Sequence, residues 1–436
     1  MKNKLLELRE KLQTSIWFIP VLLCISSLAL AFLLYWAERE LAVALPQLET
    51  VTLSVTSARH VLGVIAGSVL SVGGVVFSVT MVALTLTSGQ YGPKILRQFF
   101  SDRASKISLG MFLGTSLYCL VIMASYADTD EPGITVVAAL VLTILALVSF
   151  VSFIHRTATE LQADQIIERI GNELHHSLRY LTSEDNRRGR TDATLDWRRR
   201  ARGKRPEVVV ARKTGYVQTI DYRAVLQWCV THDCVALVRV RAGDFLLQGS
   251  CLIKLYGCSQ EQLEAGLGAL CATIRTGPLR TPVQDPEYPV TQLNQLAARA
   301  LSPGINDPGT AITCIDWFSM ALAKIVNSEL PGKVFLDDNS GARVLVRFTD
   351  FPGLAKAFYA PARQFASANI PVLIALLESL IRLAELSTWP DRLQQISTEG
   401  SALRDTIEHG DHLDPELNGF RQRYNKLTRL TTRLNP

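Results

Sequence analysis

Four runs of residues without a single ionisable charge constrain this chain more than any other feature of its sequence. They cover Ile16 to Trp36, Val61 to Thr87, Ile107 to Tyr126 and Ile134 to Ile154. Each reaches the roughly 20 residues a helix needs to cross a hydrocarbon core about 30 Å thick. A core helix of a soluble protein seldom stays uncharged for so long, so the runs predict four transmembrane helices within residues 16–154. Ala42-Val43-Ala44 follows the first run and resembles a leader-cleavage site. The run exceeds the roughly 7 to 15 apolar residues of a leader, however, and Glu38, Arg39 and Glu40 intervene, so an uncleaved anchor is expected.

The cations then set the orientation. Only ten of the 45 Lys and Arg precede residue 155, and most of those ten flank the spans. Lys2, Lys4, Arg9 and Lys11 precede the first span, and Lys94, Arg97, Arg103 and Lys106 lie between the second and third. The connection between spans three and four carries only Asp128, Asp130 and Glu131, whereas Arg is abundant after span four. Lys and Arg are retained on the cytoplasmic side, so both termini are expected in the cytoplasm, with residues 1–15 as a cytoplasmic tail.

Within the second span, Gly67, Ser71, Gly74, Ser78, Met81, Thr85 and Ser88 recur at alternating steps of four and three, which draws one stripe along a helix. Such a stripe serves either as a tight helix seam or, in an oligomer, as the lining of a narrow path. No Asp, Glu, Lys, Arg or His lies inside a span, which argues against a proton-driven pump more than against a passive channel. The segment from Ser88 to Pro93 is expected to break the helix, leaving Gln90, Lys94 and Arg97 at a cytoplasmic mouth. Gly110 and Gly114 in the third span form a G-x-x-x-G pattern for close helix contact.

Residues 155–186 read as an amphipathic stalk, with Leu161, Ile167, Ile170, Leu174, Leu178 and Leu181 on one stripe. That stripe suits self-association or packing on the chain's own cytoplasmic domain. Residues 187–206 hold nine Lys and Arg against Asp192 and Asp196, a basic linker suited to solvent or to anionic lipid headgroups. Nothing nearby resembles a nucleic-acid recognition element, so no such partner is expected. Cys229, His232 and Cys234 lack a second ligand pair, and neither metal nor cofactor is predicted.

Residues 207–350 alternate strand and helix patterns, with turns at Ala242-Gly243-Asp244 and Gln248-Gly249, and residues 351–436 are helical. The fold class is thus an α-helical membrane protein with four spans and a mixed α/β cytoplasmic domain, containing a small sheet or barrel and C-terminal helices. Asp307 is placed to cap a helix beginning at Pro308, although Asp285, Asn306 and Asp307 also make a candidate ligand site. No Walker loop, zinc-protease His pair, nucleophile elbow or dinucleotide fingerprint occurs, so catalysis has no positive support and no catalytic residue is assigned.

The strings LSVGGVVFSVTMVALTLTSGQYGPKILRQFF, LGMFLGTSLYCL and AARALSPGINDPGTAITCIDW resemble a widespread bacterial family of predicted membrane proteins, domain of unknown function 2254. The resemblance spans nearly the whole chain and implies a bacterial inner-membrane location, with no substrate or catalytic residue to carry across. Together with the stripe it leads to an expectation of a homo-oligomeric channel or transport protein in the lipid bilayer, regulated by its cytoplasmic domain. The competing expectation is a membrane-anchored sensing or scaffolding protein.

Overall fold

The computed structural model describes residues 17–44, 54–91, 103–128, 132–160, 162–182, 192–328, 330, 332–337, 341–410 and 414–433. The chain forms two compact units that divide between Gln165 and Ile166.

Among the described residues the first unit holds the four long helices α1 (Phe18–Ala44), α2 (Val55–Tyr91), α3 (Arg103–Ser125) and α4 (Ile134–Glu160). All four are long and apolar enough to cross a membrane, over Phe18–Glu40, Val55–Val82, Lys106–Ser125 and Ile134–Arg156. Packing is centred on α3, which lies against each of the other three. Small residues permit this. A Cβ on Gly110 would stand 2.6 Å from Leu23 Cδ1, and one on Gly114 would stand 2.6 Å from Ser27 Oγ, so the G-x-x-x-G pair is the seam with α1. The segment from Ser88 to Pro93, expected to break the helix, contains its end: α2 runs to Tyr91, because Gly89 alone does not end a helix and the steric restriction set by Pro93 begins at the residue just before it.

The second unit opens with α5 (Ala163–Thr182) and α6 (Asp192–Ala201). Next come β1 (Pro206–Val210), β2 (Gly215–Ile220), α7 (Tyr222–Thr231), β3 (Val235–Val238), β4 (Phe245–Leu246), β5 (Cys251–Tyr256), α8 (Gln260–Ala272) and β6 (Ile274–Gly277). After α9 (Glu287–Ala300) and α10 (Pro308–Ala323), the strands β7 (Val334–Leu336) and β8 (Ala342–Leu345) complete a five-stranded sheet ordered β1-β5-β3-β8-β7. Its pairs are antiparallel except β3 with β8, and a second antiparallel sheet runs β4-β2-β6. Val209, Ala236 and Ile253 from one sheet and Val217, Ile220 and Ile274 from the other share one apolar core, to which α7 contributes Val225 and α8 contributes Leu270.

Four helices end the chain: α11 (Phe351–Phe365), α12 (Ile370–Leu386), α13 (Pro390–Glu408) and α14 (Asp414–Thr432). Their beginnings follow from local chemistry. Asp350 and Asn369 accept the amides of Gly353 and Val372, and prolines occupy first-turn positions that need no N–H. Phe318 of α10 stacks on Phe358 of α11, with ring centroids 3.9 Å apart. Meanwhile α12 buries Leu373, Leu376, Leu377, Leu380 and Leu383 among its neighbours.

The apolar stripe of α5, including Ile167, Ile170 and Leu174, is buried within this same unit. Gly171 lets Trp317 of α10 approach so closely that a Cβ would sit 2.6 Å from the indole, and Ser177 donates to the carbonyl of Pro282. The basic stretch also has more structure than a linker. From Asp192 to Ala201 it is helical, and Trp197, 6% exposed, fixes it on the sheet by donating its indole N–H to Ala236 O at 3.0 Å.

Candidate functional site

The two sides of α2 have different duties. Ala58, Leu62, Ala66, Val69 and Val76 are buried in the bundle, and Gly73 meets Phe112 of α3 on that same side. Gly67, Ser71, Gly74, Ser78, Met81 and Thr85 occupy the opposite side and are exposed, and no atom lies within 4 Å of where a Cβ on Gly67 or Gly74 would be. The stripe is therefore not the seam of the chain's own bundle. Two of its hydroxyls bond back to the helix, Ser71 to Gly67 O at 2.9 Å and Thr85 to Met81 O at 2.8 Å. Such bonding satisfies the donor without a partner helix and leaves an oxygen lone pair outward. The backbones of Ser88 and Gln90 extend α2, but their side chains, and Lys94 and Arg97 entirely, lie outside the described residues.

In the α/β unit the three acidic and amide candidates do not form one site. Asp285, 3% exposed, receives Arg280 through Nε at 2.8 Å and Nη2 at 3.1 Å. The turn residue Gly243, at φ +93°, packs directly on that carboxylate, where any side chain would collide. Burial dominates the ionisation of Asp285 and raises its carboxyl to about 6, against the opposing pull of Arg280. Beside it Arg241 forms a fork to Glu287 at 2.6 and 2.7 Å, and Thr349 donates to the same carboxylate. The cavity at this junction holds about 10 Å³, enough for one water molecule.

Asp307 is committed elsewhere. Its oxygens accept the Thr310 amide at 3.1 Å and the Thr310 hydroxyl at 2.6 Å, and these hydrogen bonds hold its carboxyl below the ordinary range. Asn306 is exposed at φ +48°, in the left-handed turn that reverses the chain between α9 and α10. A larger cleft was not foreseen from the sequence. Of about 410 Å³, it opens between α13 and α14 and is lined by Gln394, Ser397, Thr398, Ser401, Thr431 and Thr432. Helical spacing of hydroxyls on two neighbouring helices was the only signal for it.

A family model for predicted membrane proteins, DUF2254, matches residues 13–382. The chain belongs to this family. Uncharacterized proteins of Mycobacterium tuberculosis (strain H37Rv) and Mycobacterium bovis (strain ATCC BAA-935 / AF2122/97) are each 27% identical to it over 356 residues. The matched stretch covers 78% of this chain and 66% of either relative, so it spans just under two thirds of their length. No solved structure matches.

This DUF2254 protein also carries a polar clasp that the charge-free runs concealed. Glu38, just past the first run, turns back to accept the Gly133 amide at 2.5 Å and the Thr135 hydroxyl at 2.6 Å, at the positive end of α4. Thr135 bonds Tyr126, and its carbonyl accepts the Tyr118 hydroxyl at 2.9 Å. Arg59 of α2 donates to Tyr126 O at 2.6 Å, and Tyr35 of α1 donates to Ser125 O at 2.9 Å. All four helices thereby meet at one end of the bundle. The only sequence signal was a carboxylate and an arginine placed within a few residues of span ends.

Proposed function

We propose that this chain is a homo-oligomeric channel or transport protein of the bacterial inner membrane, in which α2 lines the path and the cytoplasmic unit regulates it. One observation carries the reading: the Gly67–Thr85 row lies outside the chain's own bundle while a separate row makes the internal seam. Glycine backbone and outward hydroxyl lone pairs on adjacent copies would offer polar groups to a permeating solute. The absence of Asp, Glu, Lys, Arg and His along the runs fits passive passage. Purified protein reconstituted in liposomes should pass small ions, and Ser71→Leu with Ser78→Leu should abolish the flux while the protein stays folded. Liposomes no leakier than protein-free controls, or undiminished flux in the double variant, would end this reading.

A second reading, ligand sensing by the cytoplasmic unit, is favoured by the cleft of about 410 Å³ between α13 and α14, a volume within the usual range of small-molecule sites. Crystallographic fragment soaking would populate that cleft if it is a binding site, and consistent failure of polar fragments to bind would remove it.

A further inference from the structure

We propose that the outward face of α6 is a docking surface for anionic phospholipid headgroups. This inference stands independently of the channel reading. The inner face of the helix is fixed: Trp197 bonds Ala236 O, and Asp196 accepts both the Ala342 amide at 3.1 Å and Arg200 Nε at 3.0 Å. Ala193 and Ala201 pack beneath it. With that face held down, helical geometry turns Leu195, Arg198, Arg199 and Arg202 outward together, and all four are exposed. The nearest acid, Asp196, is already engaged, and no carboxylate pairs with Arg198, Arg199 or Arg202 among the described residues. A solvated charge run has no need of an apolar residue on its face, yet Leu195 is 58% exposed about one turn before Arg198 and Arg199.

Apolar contact one helical turn from a row of guanidinium groups on the same face matches a bilayer interface, where acyl chains begin just below anionic phosphates. A duplex or single strand of nucleic acid would call for a groove-reading element or aromatic stacking platforms, and this face presents neither. Four apolar spans tether the chain to a membrane, which keeps headgroups at high local concentration. Arg is also the cation that recognises phosphate in a bidentate manner.

The test uses the full chain in nanodiscs of phosphatidylcholine alone or with about 30% phosphatidylglycerol, read by hydrogen exchange over residues 192–205. Amide exchange there should slow at least about threefold in the anionic discs, and about 0.5 M NaCl should reverse the effect. Arg198→Gln, Arg199→Gln and Arg202→Gln together should remove the lipid difference while exchange in phosphatidylcholine matches the parent, which shows that α6 remains docked. Leu195→Asn should weaken protection while leaving its salt dependence intact. Equal exchange in the two lipids would overturn the proposal. So would binding of a labelled single-stranded oligonucleotide, in detergent at physiological salt, that the glutamine variant loses.

Discussion

Substituting Gly171 by Ala tests whether α5 is docked on the helices of the second unit or stands free as a stalk. On an exposed helix, Gly→Ala gains about 1 kcal/mol because the unfolded chain loses freedom and the helix gains propensity. At Gly171 the new Cβ would meet Trp317 Cε3 at 2.6 Å and Trp317 Cβ at 3.1 Å, so the indole or the helix must shift. Overpacking of this kind costs about 1–3 kcal/mol, which leaves a net loss of about 1 kcal/mol. Gly268 supplies the matched control. It lies within α8, is exposed, and has no atom within 4 Å of where an added methyl would stand, so Gly268→Ala should gain about 1 kcal/mol. The two variants should differ by about 2 kcal/mol, or roughly 4–8 °C in apparent melting temperature. Full-length protein in detergent, heated at one fixed scan rate and followed by intrinsic fluorescence, reads this difference. If both variants melt above the parent by the same amount, Trp317 does not press on Gly171 and the docked α5 is wrong.

Two further outcomes follow from the α/β unit. Because burial raises the Asp285 carboxyl from its ordinary 3.8 to about 6, the folded state holds the extra proton between those values. Stability from this group is therefore greatest at low pH and falls by about 2 kcal/mol as pH rises from about 4 to about 6. Denaturant unfolding across that window should lose this component in Asp285→Asn, and an unchanged pH slope would remove Asp285 as its source. Asp307→Ala should cost about 1 kcal/mol through the lost cap of α10, while Asp307→Asn should be nearly neutral. If thermal unfolding shows Asn to be as damaging as Ala, the carboxylate has a duty beyond capping.

Much of this architecture was legible wherever a local rule acted alone. Asp307 followed by Pro308 announced the start of α10, and apolar residues at helical spacing announced the helices that follow residue 350. The basic stretch misled because a run of Arg reads as solvated, while the one residue that anchors it, Trp197, finds its acceptor on Ala236, 39 positions away. Asp285 could be singled out by sequence as a titratable residue in a motif, but not its partners. Arg280 is near in sequence, whereas the Gly243 turn that packs on its carboxylate comes from a distant loop. The parallel pairing of β3 with β8 joins Ala236 to Val344 across more than a hundred residues, a register that no local pattern specifies.

By itself the sequence determined four spans and the positions of most helices, because hydrocarbon excludes charge from long stretches and caps act within one turn. Which side of each helix is spent internally was decided only by the tertiary structure. The same small residues on α2 serve either a seam or an open surface, and only the packing of Ala66, Val69 and Gly73 against the bundle turned the Gly67–Thr85 row outward. Likewise an amphipathic α5 fits a coiled coil or a domain surface equally well until Trp317 meets Gly171. Periodicity fixes that a face exists, and the identity of what covers it is a property of contacts between distant parts of the chain.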